Sequence, residues 1–121
     1  MRITCGTDFS ERGREAAEVA ALLAARAGGR LELVHALDTR GAVFGAAHVL
    51  QTLEDAARER LDGEVERLRA LGATVEAAMP DGWADEALLG EAERRDSSLI
   101  VLAATGSVSY THLTLPTNRE V

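Results

Sequence analysis

The chain has 121 residues, 46% of them hydrophobic and 27% charged, which fits one globular domain with a modest core and leaves no apolar run near the ~20 residues a membrane-spanning helix needs. Its formal charge is −7, with arginines interspersed among acids, so nucleic acid is not an expected partner and neither is a membrane. All 13 basic residues are arginine, which excludes a P-loop lysine and Schiff-base chemistry.

The opening "MRITCGTDFS" lacks the charged, apolar and small-residue regions of a secretory signal, so the cytoplasm is the expected compartment. Arg2 to Gly6 reads as a short strand, ended by glycine and followed by the turn and cap residues Thr7, Asp8 and Ser10. The lone Cys5 within it reads as a small buried hydrophobe. From Glu11 to Ala27 the positions Ala16, Val19, Ala20, Leu23 and Ala27 recur at helical spacing, with Ser10 as N-cap and Gly28-Gly29 as the stop.

Arg30 to Leu37, "RLELVHAL", is a second strand, apolar enough in its later part to be covered on both faces. A Gly-containing loop leads to a long helix from about His48 to Leu71, with Leu50, Leu53, Ala57, Leu61, Val65, Leu68 and Leu71 on one stripe. Gly63 weakens this helix without ending it, and Gly72 ends it. Ala73 to Ala78 is a third strand, "MPDG" a turn, Trp83 to Arg95 a short helix, and Ser97 to Ala103 a fourth, buried strand.

The order βαβαβαβ predicts a Rossmann-like, doubly wound α/β domain with parallel strands. Ligands of such sheets bind beyond the carboxyl ends of the strands, where strand order reverses. That directs attention to "GTDFS", "HALD", "MPDG" and "AATG", the four segments after the strands. In the first, a helix N-terminus stands behind Asp8, which suits either hydrogen bonds to a ribose or adenine or simple helix capping. Gly106 in the last either admits a phosphate to the backbone or is a plain loop glycine. His35 reads as a packed, hydrogen-bonded histidine, since no catalytic partner stands at a recognisable spacing. Metal motifs and G-x-G-x-x-G are absent, and the paired carboxylates on the helices read as solvated faces, so no catalytic constellation emerges.

Taken in order, "RITCGTDFSERGREAAEVAALLAARAGGRLELVHALD" and "MPDGWADEALLGEAERRDSSLIVLAATG" resemble a universal stress protein domain from Met1 to Gly106. The resemblance implies a dimerising stress-response domain that binds ATP in one branch of the family and not in another. It implies that Gly6, Thr7 and Asp8 face adenine and ribose, that Ala36 holds adenine through its backbone, and that Leu102, Ala103 and Gly106 begin the phosphate loop. The ATP-binding branch has a glycine where this chain has Ala103, and its later G-[ST] has no match here. Two alternatives stand beside ATP binding: a nucleotide-independent signalling or dimerisation module of the same fold, and an adenine-nucleotide hydrolase or transferase.

The composition changes at Ser107. "VSYTHLTLPT", Val108 to Thr117, resembles, residue for residue, the translation of a transposase-type sequencing adapter, and the adapter's following bases also accommodate the closing residues up to Val121. Residues 107–121 therefore read as a non-native tail on a universal stress protein domain of residues 1–106, truncated before the family's last helix and strand. On that reading the fourth strand is an unpaired, aggregation-prone edge with an uncovered apolar face, and the dimer belongs to the intact parent, not to this shorter chain.

Overall fold

A computed structural model describes residues 1–37, 47–104 and 107–111. The elements, in chain order, are β1 (Arg2–Gly6), α1 (Glu11–Arg26), β2 (Arg30–Val34), α2 (Ala47–Arg69), β3 (Thr74–Ala78), α3 (Ala84–Arg94), β4 (Leu99–Ala104) and β5 (Ser107–Thr111). They build one five-stranded sheet in the order β3-β2-β1-β4-β5. The first four strands are parallel, as expected of strands joined through helices, with Ile3 opposite both Leu31 and Leu99.

Side chains alternate across the strands and divide the core in two. Ile3, Cys5, Leu31, Leu33, Val75 and Val101 join one cluster with residues of α1 and α2, while Val34 and Ile100 join Leu88 and Ala92 of α3 on the other face. Cys5 is fully buried, and burial pushes its thiol up to about 12, as suits a structural hydrophobe.

Three expectations need correction. The buried face of α1 is Gly13, Ala16, Ala17, Ala20, Ala21 and Ala24, whereas Leu23, placed on the stripe by spacing, is 41% exposed. Small residues let the helix approach the sheet closely, and the leucines are left at its rim. In α2 only Leu61, Val65 and Leu68 of the expected stripe are buried, and Leu53 is 56% exposed. Strands of five residues span ~17 Å, and a 23-residue helix spans ~35 Å, so only part of α2 can lie on the sheet.

The third correction concerns β4, which is not an edge. β5 pairs with it antiparallel, from Ala104 opposite Ser107 to Ile100 opposite Thr111. Antiparallel strands need only a tight connection, and β5 begins three residues after β4 ends, so the tail segment satisfies the backbone groups expected to stand open. The face carrying Val34 and Ile100 still has only α3 packed on it among the described helices.

Candidate functional site

Strand order reverses between β1 and β4, and there a cleft of about 450 Å³ opens, a volume within the range that holds small organic ligands. Gly6, Thr7, Asp8, Ala36, Leu102 and Ala103, all singled out by the sequence, line it together. Gly106 lies outside the described residues. Val34, Ile100, Gly13, Ala84, Asp85, Leu88 and Leu89 also line the cleft and carried no sequence signal beyond periodicity. The approach of α3 to the end of β1 is a tertiary event: a Cβ built on Gly6 would stand 3.2 Å from Leu88 Cδ2.

The turn after β1 is tightly bonded. Thr7 N–H donates to the Val34 carbonyl at 2.9 Å, the Thr7 hydroxyl accepts from Phe9 N–H at 3.1 Å, and His35 Nδ1 lies 2.9 Å from the Thr7 carbonyl. Phe9 has a φ of +66°, the left-handed region that costs a non-glycine residue free energy. Its ring packs on His35 with centroids 4.3 Å apart, and the Arg60 guanidinium sits 4.6 Å from the ring centre. His35 is thus the packed, hydrogen-bonded residue expected, and it holds the turn that presents Asp8.

Asp8 Oδ1 accepts from Ser10 N–H at 2.9 Å and from the Ser10 hydroxyl at 2.5 Å, and that same hydroxyl accepts from Gly13 N–H at 3.1 Å. Ser10 is therefore the N-cap of α1, with Asp8 braced against it. The Ser10 hydroxyl, followed by its amide, holds the Asp8 carboxyl below the usual carboxylate range. The hydrogen bonds that Asp8 accepts from other described residues both fall on Oδ1. Gly13 permits this packing, since a Cβ there would stand 2.8 Å from Asp8 Oδ1 and 3.2 Å from Thr7 Oγ1.

Beyond β2, the amides of His35 and Leu37 donate to the carbonyls of Ala78 and Pro80 in the β3 segment. Successive amides of an extended chain alternate in direction, so the Ala36 backbone groups turn away from β3, and Ala36 lines the cleft. Ala103 lies within β4, and the positive-φ residues other than glycine among the described residues are Phe9 and Asp96. The backbone at Ala103 is thus ordinary strand, without the conformation a motif glycine would permit. Among the described residues there is no group of three or more side chains suited to a metal ion, and no helix is long and apolar enough to cross a membrane.

Fold and cleft together define a Rossmann-like α/β domain with a cleft at the topological switch point, where such sheets bind ligands. The model of the Universal stress protein family matches residues 1–116, and the chain belongs to that family. Among solved structures, it is similar to a universal stress protein family member from Burkholderia pseudomallei, with 24% identity, 85% of this chain and 80% of that chain covered, and a TM-score of 0.74. The universal stress protein of Archaeoglobus fulgidus in complex with dAMP is 23% identical, with 87% and 82% covered and a TM-score of 0.69. A universal stress protein in complex with cAMP is 24% identical, with 83% and 73% covered and a TM-score of 0.68. None of the curated proteins matches the chain significantly.

Proposed function

We propose that this is a cytoplasmic stress-response regulatory domain that binds an adenine nucleotide at the switch-point cleft and carries out no catalysis of its own. The observation that carries the reading is the convergence of Asp8, the Ala36 backbone and Leu102 on one cleft of nucleoside size. Asp8, through Oδ2, accepts from ribose hydroxyls or the adenine amino group, and the Ala36 backbone takes the edge of the base. The dAMP and cAMP complexes of the two similar universal stress proteins support an adenine ligand. ATP is the ligand we assign to the intact parent, whose phosphate loop would continue from Gly106. The homodimer belongs to that parent as well, and we assign neither nucleic acid nor membrane as a partner.

We read residues 107–121 as a non-native tail, in which β5 caps the ladder of β4 without having evolved to do so. Genomic sequence that continues unchanged through Ser107 to Val121 and then stops would refute this. One observation favours a second function, a nucleotide-independent signalling module: Ala103 occupies the place of a phosphate-loop glycine in ordinary strand geometry.

Thermal unfolding in the presence of adenosine, AMP, cAMP and ATP separates the two. A ligand at a hundred times its dissociation constant stabilises the fold by ~2.7 kcal/mol. We expect stabilisation of the parent chain and its loss in Asp8→Ala. No shift with any of the four would leave the nucleotide-independent module.

A further inference from the structure

We infer that Phe9 and Arg60 are positioning residues for the ligand: Arg60, on α2, and His35 together grip the Phe9 ring and so hold the turn after β1 in the conformation that presents Asp8 to the cleft. The inference rests on the adenine reading above and adds the residues that keep the site ready for its ligand. Phe9, His35 and Arg60 are not among the described residues that line the cleft, so their effect on a ligand passes through the turn.

Phe9 N–H donates to the Thr7 hydroxyl, the next amide, Ser10 N–H, donates to Asp8 Oδ1, and Phe9 itself has the left-handed φ of +66°. Glycine adopts such a φ without cost, whereas phenylalanine keeps it only where its surroundings over-determine it. Those surroundings come from two distant parts of the chain. From the segment after β2, the His35 ring packs 4.3 Å from the Phe9 ring, and its Nδ1–H donates to the Thr7 carbonyl, a group that can only accept. From α2, the Arg60 guanidinium lies 4.6 Å from the Phe9 ring centre, with Nη2 3.5 Å from the Phe9 carbonyl oxygen. Leu61, next to Arg60, is 2% exposed, so the guanidinium is mounted on a part of α2 that is anchored in the core. Without this grip the cost at Phe9 is no longer offset and the turn populates other conformations. Apparent affinity then falls with the fraction of chains still ready to bind.

The test is isothermal titration of the full chain with AMP, with far-ultraviolet circular dichroism confirming the fold of each variant. Phe9→Ala keeps the strained φ and loses the ring, and is expected to weaken binding about tenfold; Arg60→Ala should weaken it about three- to fivefold. Phe9→Gly loses the ring and the strain together, so it should bind at least about threefold tighter than Phe9→Ala, and adding Arg60→Ala to it should cost less than about twofold. Nitrogen-15 NMR of the ligand-free chain supplies a second readout: the Nδ1–H tautomer of His35 should be present in the unsubstituted chain and in Phe9→Gly, and lost in Phe9→Ala. Unweakened AMP binding in folded Phe9→Ala would overturn the inference and leave the adenine reading standing. A loss from Arg60→Ala that persists in full in the Phe9→Gly background would overturn the grip, since Arg60 would then act on the ligand's charge. Absence of AMP binding by the unsubstituted chain would overturn the adenine reading, and retention of the His35 tautomer in Phe9→Ala would overturn the grip on the turn whether or not AMP binds.

Discussion

Ser10 performs two tasks with one hydroxyl: it accepts from Gly13 N–H, capping α1, and donates to Asp8 Oδ1. The sequence leaves Asp8 open to helix capping or ligand recognition; in the structure Ser10 makes the cap, Asp8 Oδ1 braces it, and Asp8 also lines the cleft. Replacing Ser10 with alanine should cost about 1 kcal/mol through the lost cap. It should also move the Asp8 titration up toward the ordinary carboxylate range, because the hydroxyl is the largest cause of its depression. A carboxyl NMR titration that places Asp8 unchanged in Ser10→Ala would contradict this. Gly13 was not legible as a functional residue, since its role is the space it leaves for Asp8 and Thr7, which no helical pattern records.

Among the elements, the two helices on one face show what periodicity conveys and what it omits. Both helices were legible to within two or three residues at each end, from caps, glycine stops and apolar recurrence. The working face of α1 was not, because alanines carry a weak hydrophobic signal and yet win the contact through close approach. In α2 the repeat runs the whole helix, but packing uses only the positions that reach the sheet. Leu68→Ala should therefore cost about 2–5 kcal/mol, and Leu53→Ala no more than about 0.5 kcal/mol, by urea denaturation. Equal costs would mean that the helix is packed along its whole length. The strand "RLELVHAL" illustrates a similar limit: regular pairing stops at Val34, while the amides of His35 and Leu37 continue to bond toward β3.

For the whole molecule, a buried carboxyl outside the cleft lowers stability as pH rises toward neutrality. Glu32, on the α3 side of β2, is 5% exposed, and neither carboxylate oxygen makes a hydrogen bond; Arg95 Nε lies 3.0 Å from Oε2 without hydrogen-bond alignment. Arg95 also pairs with Glu76, and the neighbouring Glu91 pairs with Arg94. Burial first, and then the Glu91 carboxyl, raise Glu32 from 4.5 to about 7, against the opposing pull of Arg95. A carboxyl raised in the folded state binds its proton more tightly there than in the unfolded chain. Its contribution is complete below the unfolded value and is lost as pH rises through about 7. The urea midpoint should thus fall between about pH 5 and about pH 8, by on the order of 2 kcal/mol in stability, and Glu32→Gln should flatten the decline. A midpoint that rises over this range in the unsubstituted chain would refute the assignment.

By itself, the sequence determined the order of elements from β1 to β4, the α/β class, the resemblance to universal stress proteins from "TDFS" and "LVHALD" to "LIVL", and residues that line the switch-point cleft. Those properties are local: a strand, a cap or a glycine stop depends on neighbours a few residues away. Only the tertiary structure decided that α3 would bring Leu88 against the end of β1, that Glu32 would be buried beside Glu91, and that Ser107–Thr111 would close the ladder of β4. These outcomes depend on contacts between residues far apart in the chain, whose free energy is set by the space, charge and hydrogen-bonding groups that meet there.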